Sequence, residues 1–252
     1  MKRILAALSM LLAIAFFACD ANAADLTVSA ALSLKNAFEE LGRLYEFRHA
    51  GTRVLLNFGA SGDLTRQIAG GAPVDVFASA APKDMNDLEN KGYILAGSRI
   101  DFARNSVVLI ASKNGTIKSF ADLTSDRVQR IAAGNPKTVP AGRYAAEVFA
   151  YYKIAGPIKD KLIYTDNVRQ VLDYAARGEV DAGVVYATDA AIRGTEIRVV
   201  AEAPAASHNP VVYPIAIVKG TGNQAAAKSF IDLVLSKEGG AILKKYGFGI
   251  LR

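Results

Sequence analysis

Five short segments of the sequence bring small residues or a hydroxyl side chain to the predicted start of a helix. They are residues 30–33, 59–62, 139–142, 166–168 and 186–188. The first turn of a helix exposes backbone N–H groups that have no partner within the helix, and it carries a partial positive charge. Such a turn can bind an anion without a cationic side chain, and small residues let the anion approach the backbone. These segments therefore indicate the binding of an oxyanion.

An ordinary helix cap explains each of these segments when it is taken alone. A serine at a helix start, such as Ser33 or Ser61, commonly accepts a backbone hydrogen bond from its own helix. The recurrence of such starts in both halves of the predicted fold favours an oxyanion site. Any α/β protein has many helix starts, however, so the residues alone leave both interpretations open.

Residues suited to catalysis are few. The sequence has two histidines, His49 and His208, which lie far apart and have no neighbouring ligand residues. It contains no Gly-x-Ser-x-Gly elbow, no Walker phosphate loop and no His-Glu-x-x-His zinc motif. The glycine-rich segment 59–62 lacks the third glycine of a dinucleotide-binding fingerprint. We expect no enzyme; an exported enzyme, with Tyr186 as its polar candidate, is a distant alternative.

The N-terminal residues have the pattern of an export signal. Lys2 and Arg3 precede an apolar run over residues 4–18, and residues 21–23 supply the small-x-small pattern that signal peptidase reads. The run is shorter than the roughly 20 residues that a membrane-spanning helix needs. We predict a signal peptide over residues 1–23, cleavage after Ala23 and a periplasmic protein. A lipoprotein anchored through Cys19 is the alternative.

Composition limits the other classes of protein. Cys19 is the only cysteine, so a chain cleaved after Ala23 has no disulfide and no thiolate metal site. The formal net charge is +6, and the basic residues are interspersed with acidic ones. Binding to nucleic acid would require a basic stripe with interleaved aromatic residues, and the sequence has none. We expect neither a nucleic-acid partner nor a cofactor.

Predicted strands alternate with predicted helices along almost all of the chain. A β-α-β-α-β order begins at a strand over residues 26–30 and restarts at a strand over residues 107–111. This order indicates an α/β fold with mostly parallel sheets flanked by helices. One sheet would not comfortably hold so many strands, so we predict two lobes joined by a hinge. The first comprises residues 24–105 plus 211–252, and the second comprises residues 106–210.

The extended segment 211–218 is interrupted by Pro214. Proline cannot donate a hydrogen bond to a neighbouring strand and is typical of sheet edges. We therefore predict an edge or crossover strand in this segment. Two helices, over about residues 223–236 and 237–246, are predicted to follow it.

Several blocks of the sequence resemble the family of periplasmic molybdate-binding proteins of molybdate ABC importers. The resemblance covers nearly the whole chain after the signal segment. The similar blocks are residues 30–34, 36–38, 57–62, 64–68, 71–80, 139–145, 167–169, 183–186, 189–190 and 245–248. So many blocks in the same order are specific, although each one alone is weak. The resemblance implies a type II, venus-flytrap periplasmic-binding fold with two lobes and a crossover hinge.

The resemblance also implies a set of binding residues. They would be Ser33 and Ser61 from the first lobe and Ala141, Val168 and Tyr186 from the second. In the family, hydroxyl groups and backbone amides donate hydrogen bonds to the oxygens of a bound dianion. This implies that the protein captures molybdate or tungstate and delivers it to a membrane permease. The metal would be held only as its oxyanion, and we expect a monomer.

Some charged residues near these positions need an explanation. Family members often carry a small or hydroxyl residue where this sequence has Asp63, and a carboxylate aimed at a dianion would repel it. We predict that this side chain faces solvent, and that Lys35, Arg143 and Arg169 point outward or support the site from behind. The cavity size that separates molybdate from sulfate is not evident from the sequence. A binding protein for another anion, such as sulfate, therefore remains the alternative function.

Overall fold

The computed structural model describes residues 25–251 of the 252-residue chain. The predicted signal peptide over residues 1–23, its cleavage site and Cys19 lie outside these residues. Within the described part of the chain, no helix has both the length and the apolar character needed to cross a membrane.

Strands and helices alternate as the sequence pattern predicts. The strands are β1 (Leu26–Ala31), β2 (Val54–Gly59), β3 (Val76–Ala78), β4 (Ile100–Arg104), β5 (Val107–Ser112), β6 (Ile131–Gly134), β7 (Leu162–Thr165), β8 (Ala182–Tyr186), β9 (Ile197–Glu202), β10 (Val212–Ile217) and β11 (Gly249–Ile250). The helices are α1 (Lys35–Arg48), α2 (Ser61–Ala69), α3 (Pro82–Asn90), α4 (Pro140–Tyr151), α5 (Val168–Ala176), α6 (Ala187–Ile192), α7 (Gln224–Leu235) and α8 (Lys237–Lys245).

The strands form two separate sheets. The first has the order β11-β4-β10-β3-β1-β2, and the second has the order β7-β6-β8-β5-β9. In the first sheet β1 is parallel to β2 and β3, whereas β10 is antiparallel to β3 and β4. In the second sheet β6 is parallel to β7 and β8, whereas β5 is antiparallel to β8 and β9. Each sheet is therefore mixed.

The chain passes from the first sheet to the second between β4 and β5, and it returns between β9 and β10. The first passage consists of Asn105 and Ser106 alone. The predicted lobe limits at 105/106 and 210/211 fall within these two passages. The division of the chain at those residues stays a prediction.

Helix α1 packs through the face that its sequence spacing predicts. In α1 the buried residues include Phe38, Leu41 and Tyr45, which share one face of a helix. Phe230 of α7 packs edge-on against Phe38 and Tyr45, with ring centroids 6.0 and 5.6 Å apart. Edge-to-face packing suits the charge distribution of aromatic rings and holds these two helices together on the first sheet.

Pro214 lies inside the first sheet and not at its edge. β10, which contains it, pairs with β3 on one side and with β4 on the other. The register with β4 shifts between Tyr213 and Pro214, and the Pro214 carbonyl accepts a hydrogen bond from the Ser79 N–H at 2.9 Å. Such an irregularity accommodates a residue without an N–H. Of the two predicted alternatives, the edge strand is therefore wrong and the crossover strand is right, because β10 is the strand that returns from the second sheet.

The start of α4 lies unusually close to the end of β6. A Cβ atom at Gly142 would lie 1.9 Å from the carbonyl oxygen of Gly134. A Cβ atom at Gly134 would in turn lie 2.4 Å from a methyl carbon of Val139. Only glycine fits at these two positions, so the first turn of α4 can pack directly against the end of β6.

Hydrogen bonds and an ion pair join the two lobes. The Gly62 N–H, in the first turn of α2, donates to the Thr138 carbonyl at 3.0 Å. Arg143 of α4 forms an ion pair with Asp84 of α3, whose side chain is almost fully buried. Arg143 thus supports the arrangement of the lobes and does not point outward.

A second arginine, Arg169 of α5, connects a buried carboxylate to the other lobe. Its Nε donates to Asp189 Oδ1 at 2.6 Å, and its Nη2 donates to Asn36 Oδ1 of α1 at 3.0 Å. Asp189 is fully buried, and its Oδ2 accepts no hydrogen bond from any described residue. Burial raises the pKa of Asp189 to about 6, although Arg169 acts in the opposite direction.

The close contact at Gly142 predicts a large loss of stability on substitution. Gly142→Ala should lower the free energy of unfolding by about 2–4 kcal/mol, because its Cβ overlaps the Gly134 carbonyl and the backbone must move. Urea denaturation measures the change. Gly240→Ala is the matched control: it lies inside α8 with open space around its Cβ, and it should stabilise the protein by about 0.5–1 kcal/mol. Equal unfolding midpoints for the two variants would contradict this account.

The buried Asp189 predicts a dependence of stability on pH. Its pKa is raised from 3.8 in the unfolded chain to about 6 in the folded protein, so the folded state binds the proton more tightly. Its contribution to stability is full below about pH 4 and is lost as the pH rises through 6, by roughly 2–3 kcal/mol. Urea denaturation between pH 4 and 7 should show this fall in the wild type.

Asp189→Asn is the variant that isolates this titration, because an amide does not titrate in the range. The exposed Asp232, paired with Lys228 on α7, provides the control Asp232→Asn, which should keep the wild-type pH profile. If Asp189→Asn shows the same fall in stability as the wild type, another group is responsible.

Candidate functional site

A small buried cavity between the two sheets brings together all five residues singled out from the sequence. Ser33 and Ser61 approach it from the first lobe, and Ala141, Val168 and Tyr186 approach it from the second. Each is at most 5% exposed. The other lining residues are Ala31, Leu32, Gly59, Ala60, Ala80, Val139, Pro140 and Asn167. That the five residues bind a ligand stays a prediction; their convergence is a structural fact.

The cavity is narrow. The space that the centre of a water molecule can reach within it is about 10 Å³, close to the minimum for holding one water. A cavity of this size excludes a sugar or a peptide. The larger grooves on the surface of the described residues contain none of the five predicted residues.

Helices α2, α4 and α5 all begin at this cavity. The N–H groups of Ser61, Ala141 and Val168 lie in their first turns, where a helix offers no internal acceptor. Among residues 25–251, no backbone or side-chain atom accepts a hydrogen bond from these three groups. A buried N–H without an acceptor is rare and costly. The three groups are therefore suited to an acceptor that lies in the cavity.

The two serine hydroxyls do not cap their own helices. The Ser61 oxygen accepts a hydrogen bond from the Ala80 N–H at 3.0 Å, and α2 has no side-chain cap. The Ser33 oxygen lies 3.1 Å from the hydroxyl of Tyr213, and neither the short turn at Leu32–Leu34 nor α1 has a side-chain cap. The helix-cap interpretation, which the sequence left open, therefore does not explain these serines.

Tyr186 places its hydroxyl against the first lobe. It is fully buried and donates to the Ala80 carbonyl at 3.3 Å. Burial raises the pKa of Tyr186 well above its usual value of 10, so the hydroxyl keeps its proton at neutral pH and remains a donor. A phenol in this state is a poor general base, which weakens the alternative of an enzyme.

Ala80 is the residue that the sequence analysis missed. Its N–H and its carbonyl contact two of the predicted side chains, Ser61 and Tyr186. The similar block over residues 71–80 contains Ala80, but an alanine that acts through its backbone carries no recognisable signal in a single sequence.

No charged side chain lines the cavity among the described residues. Asp63 pairs with Arg66 on the outer part of α2, as we predicted for its orientation, and Lys35 pairs with Glu39 on α1. Within residues 25–251 there is also no cluster of three or more His, Cys, Asp or Glu residues that could hold a metal ion. The cavity therefore offers neutral hydrogen-bond donors and not a cationic or metal centre.

Known proteins match the chain along almost its full length. A Bacillus subtilis (strain 168) protein, provisionally named an ABC transporter substrate-binding lipoprotein, is 40% identical over 225 residues, which cover 88% of this chain and 85% of that protein. The molybdate-binding protein ModA of Escherichia coli (strain K12) is 35% identical over 236 residues and 91% of each chain.

Solved structures support the same relationship. The periplasmic molybdate-binding protein of Azotobacter vinelandii superposes with a TM-score of 0.80 at 25% identity, over 90% of this chain and all of that one. The predicted resemblance and the two-lobed α/β fold are thereby confirmed. The family model described as bacterial extracellular solute-binding protein matches residues 26–249. The chain therefore belongs to the bacterial extracellular solute-binding protein family, which is not a family of enzymes.

Proposed function

We propose that the protein is the exported binding component of an ABC importer and that it captures molybdate or tungstate between its lobes. The observation that carries this proposal is a buried cavity lined by hydroxyls from both lobes and by N–H groups that have no acceptor among residues 25–251. None of the described residues that line it is charged. The match to molybdate-binding proteins over nearly the whole chain supports the choice of ligand.

Neutral donors can supply enough free energy to bind a dianion. A hydrogen bond to a charged acceptor contributes about 1.5–3 kcal/mol net. Four such bonds, from Ser33, Ser61, Ala141 and Val168, would contribute roughly 6–12 kcal/mol, and micromolar binding requires about 8. A fifth bond, from Tyr186, would replace the one that its hydroxyl donates to the Ala80 carbonyl and would therefore add little net free energy. Association and closure of the lobes reduce the sum. Tight binding therefore does not require a lysine or arginine in the cavity.

The same donors favour a fully deprotonated anion. Hydrogen phosphate carries an O–H that needs an acceptor of its own, and burying it unpaired costs about 1–3 kcal/mol. Molybdate and tungstate have no such proton. Sulfate also has none, so its discrimination would depend on the size of the cavity.

Binding would stabilise the closed arrangement of the lobes. An anion that touches α2 on one lobe and both α4 and α5 on the other binds the closed state more tightly than any open one. We propose that a periplasmic monomer, cleaved after Ala23, presents this closed form to a membrane permease. Anchoring through Cys19 is the alternative, and the lipoprotein name of the Bacillus subtilis relative is consistent with it.

Isothermal titration calorimetry of the mature protein with molybdate, tungstate, sulfate and phosphate tests the proposed ligand. We expect micromolar or tighter binding of the first two anions and much weaker binding of phosphate. Calorimetry is preferable to intrinsic tryptophan fluorescence because the sequence contains no tryptophan. Binding of sulfate without binding of molybdate would overturn the assignment in favour of another anion.

Two substitutions at the start of α2 test the site itself. Ser61→Ala removes one donor to the anion and should weaken molybdate binding roughly 10- to 100-fold. Asp63→Ser is the matched control two residues away, and it should leave the affinity nearly unchanged because the carboxylate pairs with Arg66 and does not line the cavity. A large gain in affinity for Asp63→Ser would show that the carboxylate repels the ligand.

A further inference from the structure

We propose that Tyr213 and Asn105 are positioning residues that direct the Ser33 hydroxyl, so that it donates its hydrogen bond into the cavity. On this basis the site discriminates against oxyanions that carry a proton. The inference rests on the proposed function, because it assumes that an oxyanion contacts Ser33. Neither Tyr213 nor Asn105 lines the cavity itself.

The orientation of the Asn105 amide follows from its contacts. Its Oδ1 accepts a hydrogen bond from the Ser106 N–H at 2.9 Å, which an amide nitrogen could not do. Its Nδ2 therefore faces the opposite way. It donates to the Tyr213 hydroxyl at 3.2 Å and to Thr188 Oγ1 at 2.8 Å.

The Tyr213 hydroxyl consequently donates a hydrogen bond to the Ser33 hydroxyl oxygen. Its oxygen already accepts a hydrogen from Asn105, and its remaining neighbour among the described residues is Ser33 Oγ at 3.1 Å. If Ser33 were the donor in this pair, the buried hydrogen of Tyr213 would have no acceptor. Tyr213 is fully buried, and burial raises the pKa of its hydroxyl, so the hydrogen is retained.

Ser33 therefore accepts from Tyr213 and keeps its own hydrogen for another partner. Ser33 is itself buried and lines the cavity, so an oxyanion there is a suitable acceptor. Ser61 is held in the same state by the Ala80 N–H. A side-chain substitution cannot remove that backbone donor, whereas the donor to Ser33 is a side chain that can be changed.

The lone pair of Ser33 that faces Tyr213 is the basis of the proposed selectivity. A protonated anion requires an acceptor, and in the wild type Tyr213 already occupies one of the two lone pairs of Ser33. Tyr213→Phe would free it, so that the Ser33 hydroxyl could rotate and accept the O–H of hydrogen phosphate. The substitution should therefore weaken binding of a dianion and reduce the preference for it over a protonated anion.

The hydrogen bonds of the Asn105 amide also connect the two lobes. Asn105 lies where the chain first crosses between the sheets, Tyr213 belongs to β10 of the first sheet, and Thr188 belongs to α6 of the second lobe. In this structure the Asn105 amide therefore donates to one partner on each lobe.

A double-mutant cycle tests the role of Tyr213. Molybdate binding to the wild type, Tyr213→Phe, Ser33→Ala and the double variant is measured by calorimetry, with phosphate at pH 6 as a competitor. Tyr213→Phe should weaken molybdate binding about 5- to 20-fold in the wild-type background. It should weaken it less than about 2-fold in the Ser33→Ala background, because Tyr213 acts through Ser33. The molybdate-to-phosphate affinity ratio should also fall in Tyr213→Phe.

Tyr144→Phe is the matched control. Tyr144 is also buried, its ring centroid lies 6.3 Å from that of Tyr186, and its hydroxyl donates to the Pro210 carbonyl outside the cavity. Its molybdate affinity should stay within about 2-fold of the wild type, since one long hydrogen bond remote from the ligand contributes little to binding. Circular dichroism and thermal unfolding of each variant verify that it is folded.

Asn105→Asp provides a second route if Tyr213→Phe does not fold. A carboxylate at this position would accept the hydrogen of Tyr213, whose oxygen would then accept the hydrogen of Ser33 and turn it away from the cavity. The loss of molybdate affinity should again be larger with Ser33 present than with Ser33→Ala, and the cycle removes the effect of the added charge.

The outcomes of these experiments distinguish the positioning role of Tyr213 from the proposed function of the protein. Equal losses with and without the Ser33 hydroxyl, together with an unchanged preference over phosphate, would overturn the positioning role and leave the proposed function intact. A wild-type protein that binds neither molybdate nor any other tetrahedral dianion would overturn the proposed function and this inference with it.

Discussion

The main constraint on this structure is a set of buried hydrogen-bond donors that have no acceptor within the described part of the chain. The N–H groups of Ser61, Ala141 and Val168 begin three helices from two lobes, and they meet at one cavity. Leaving such groups unpaired in a dry interior costs about 1–3 kcal/mol each. An acceptor in the cavity removes this cost on both lobes at once, and a tetrahedral dianion can accept from several directions. If the protein functions as proposed, capture of the ligand and closure of the lobes are one event.

The fold supplies this convergence through close approaches of the backbone. At Gly62 the first turn of α2 lies against Thr138 of the other lobe, and a Cβ there would be 2.7 Å from the Thr138 carbonyl oxygen. At Gly142 the first turn of α4 lies against Gly134 of β6. Gly62 and Gly142 therefore allow the first turns of α2 and α4 to approach the neighbouring backbone closely. Larger residues would hold the donors too far apart to share a small ion.

Among the described residues, charged side chains lie beside the cavity and none of them lines it. Arg143 pairs with Asp84, and Arg169 pairs with the buried Asp189. Each arginine lies in the first turn of its helix, yet its charge is matched by a carboxylate. The ligand would consequently meet oriented neutral dipoles. Such dipoles favour an anion whose oxygens all accept, whereas a free cationic side chain would attract any anion, protonated or not.

Short-range patterns in the sequence determined the order of strands and helices and the segments that reach the cavity. The alternation of strands and helices predicted two α/β lobes, and small residues at helix starts picked out the segments around Ser33, Ser61, Ala141, Val168 and Tyr186. These are local properties, because helix geometry and backbone N–H groups depend on neighbours in the chain. The resemblance to a known family implied that these separate segments form one binding site.

The tertiary structure decided what the hydroxyls do and where Pro214 lies. Ser33 contacts Tyr213, which is 180 positions away in the chain, and Ser61 contacts the backbone of Ala80. Pro214 sits inside a sheet because a register shift with β4 accommodates it. A hydrogen bond between distant residues depends on the packing of whole elements, and no local pattern encodes its partner. The sequence could therefore locate the donors, and only the folded chain could set their direction.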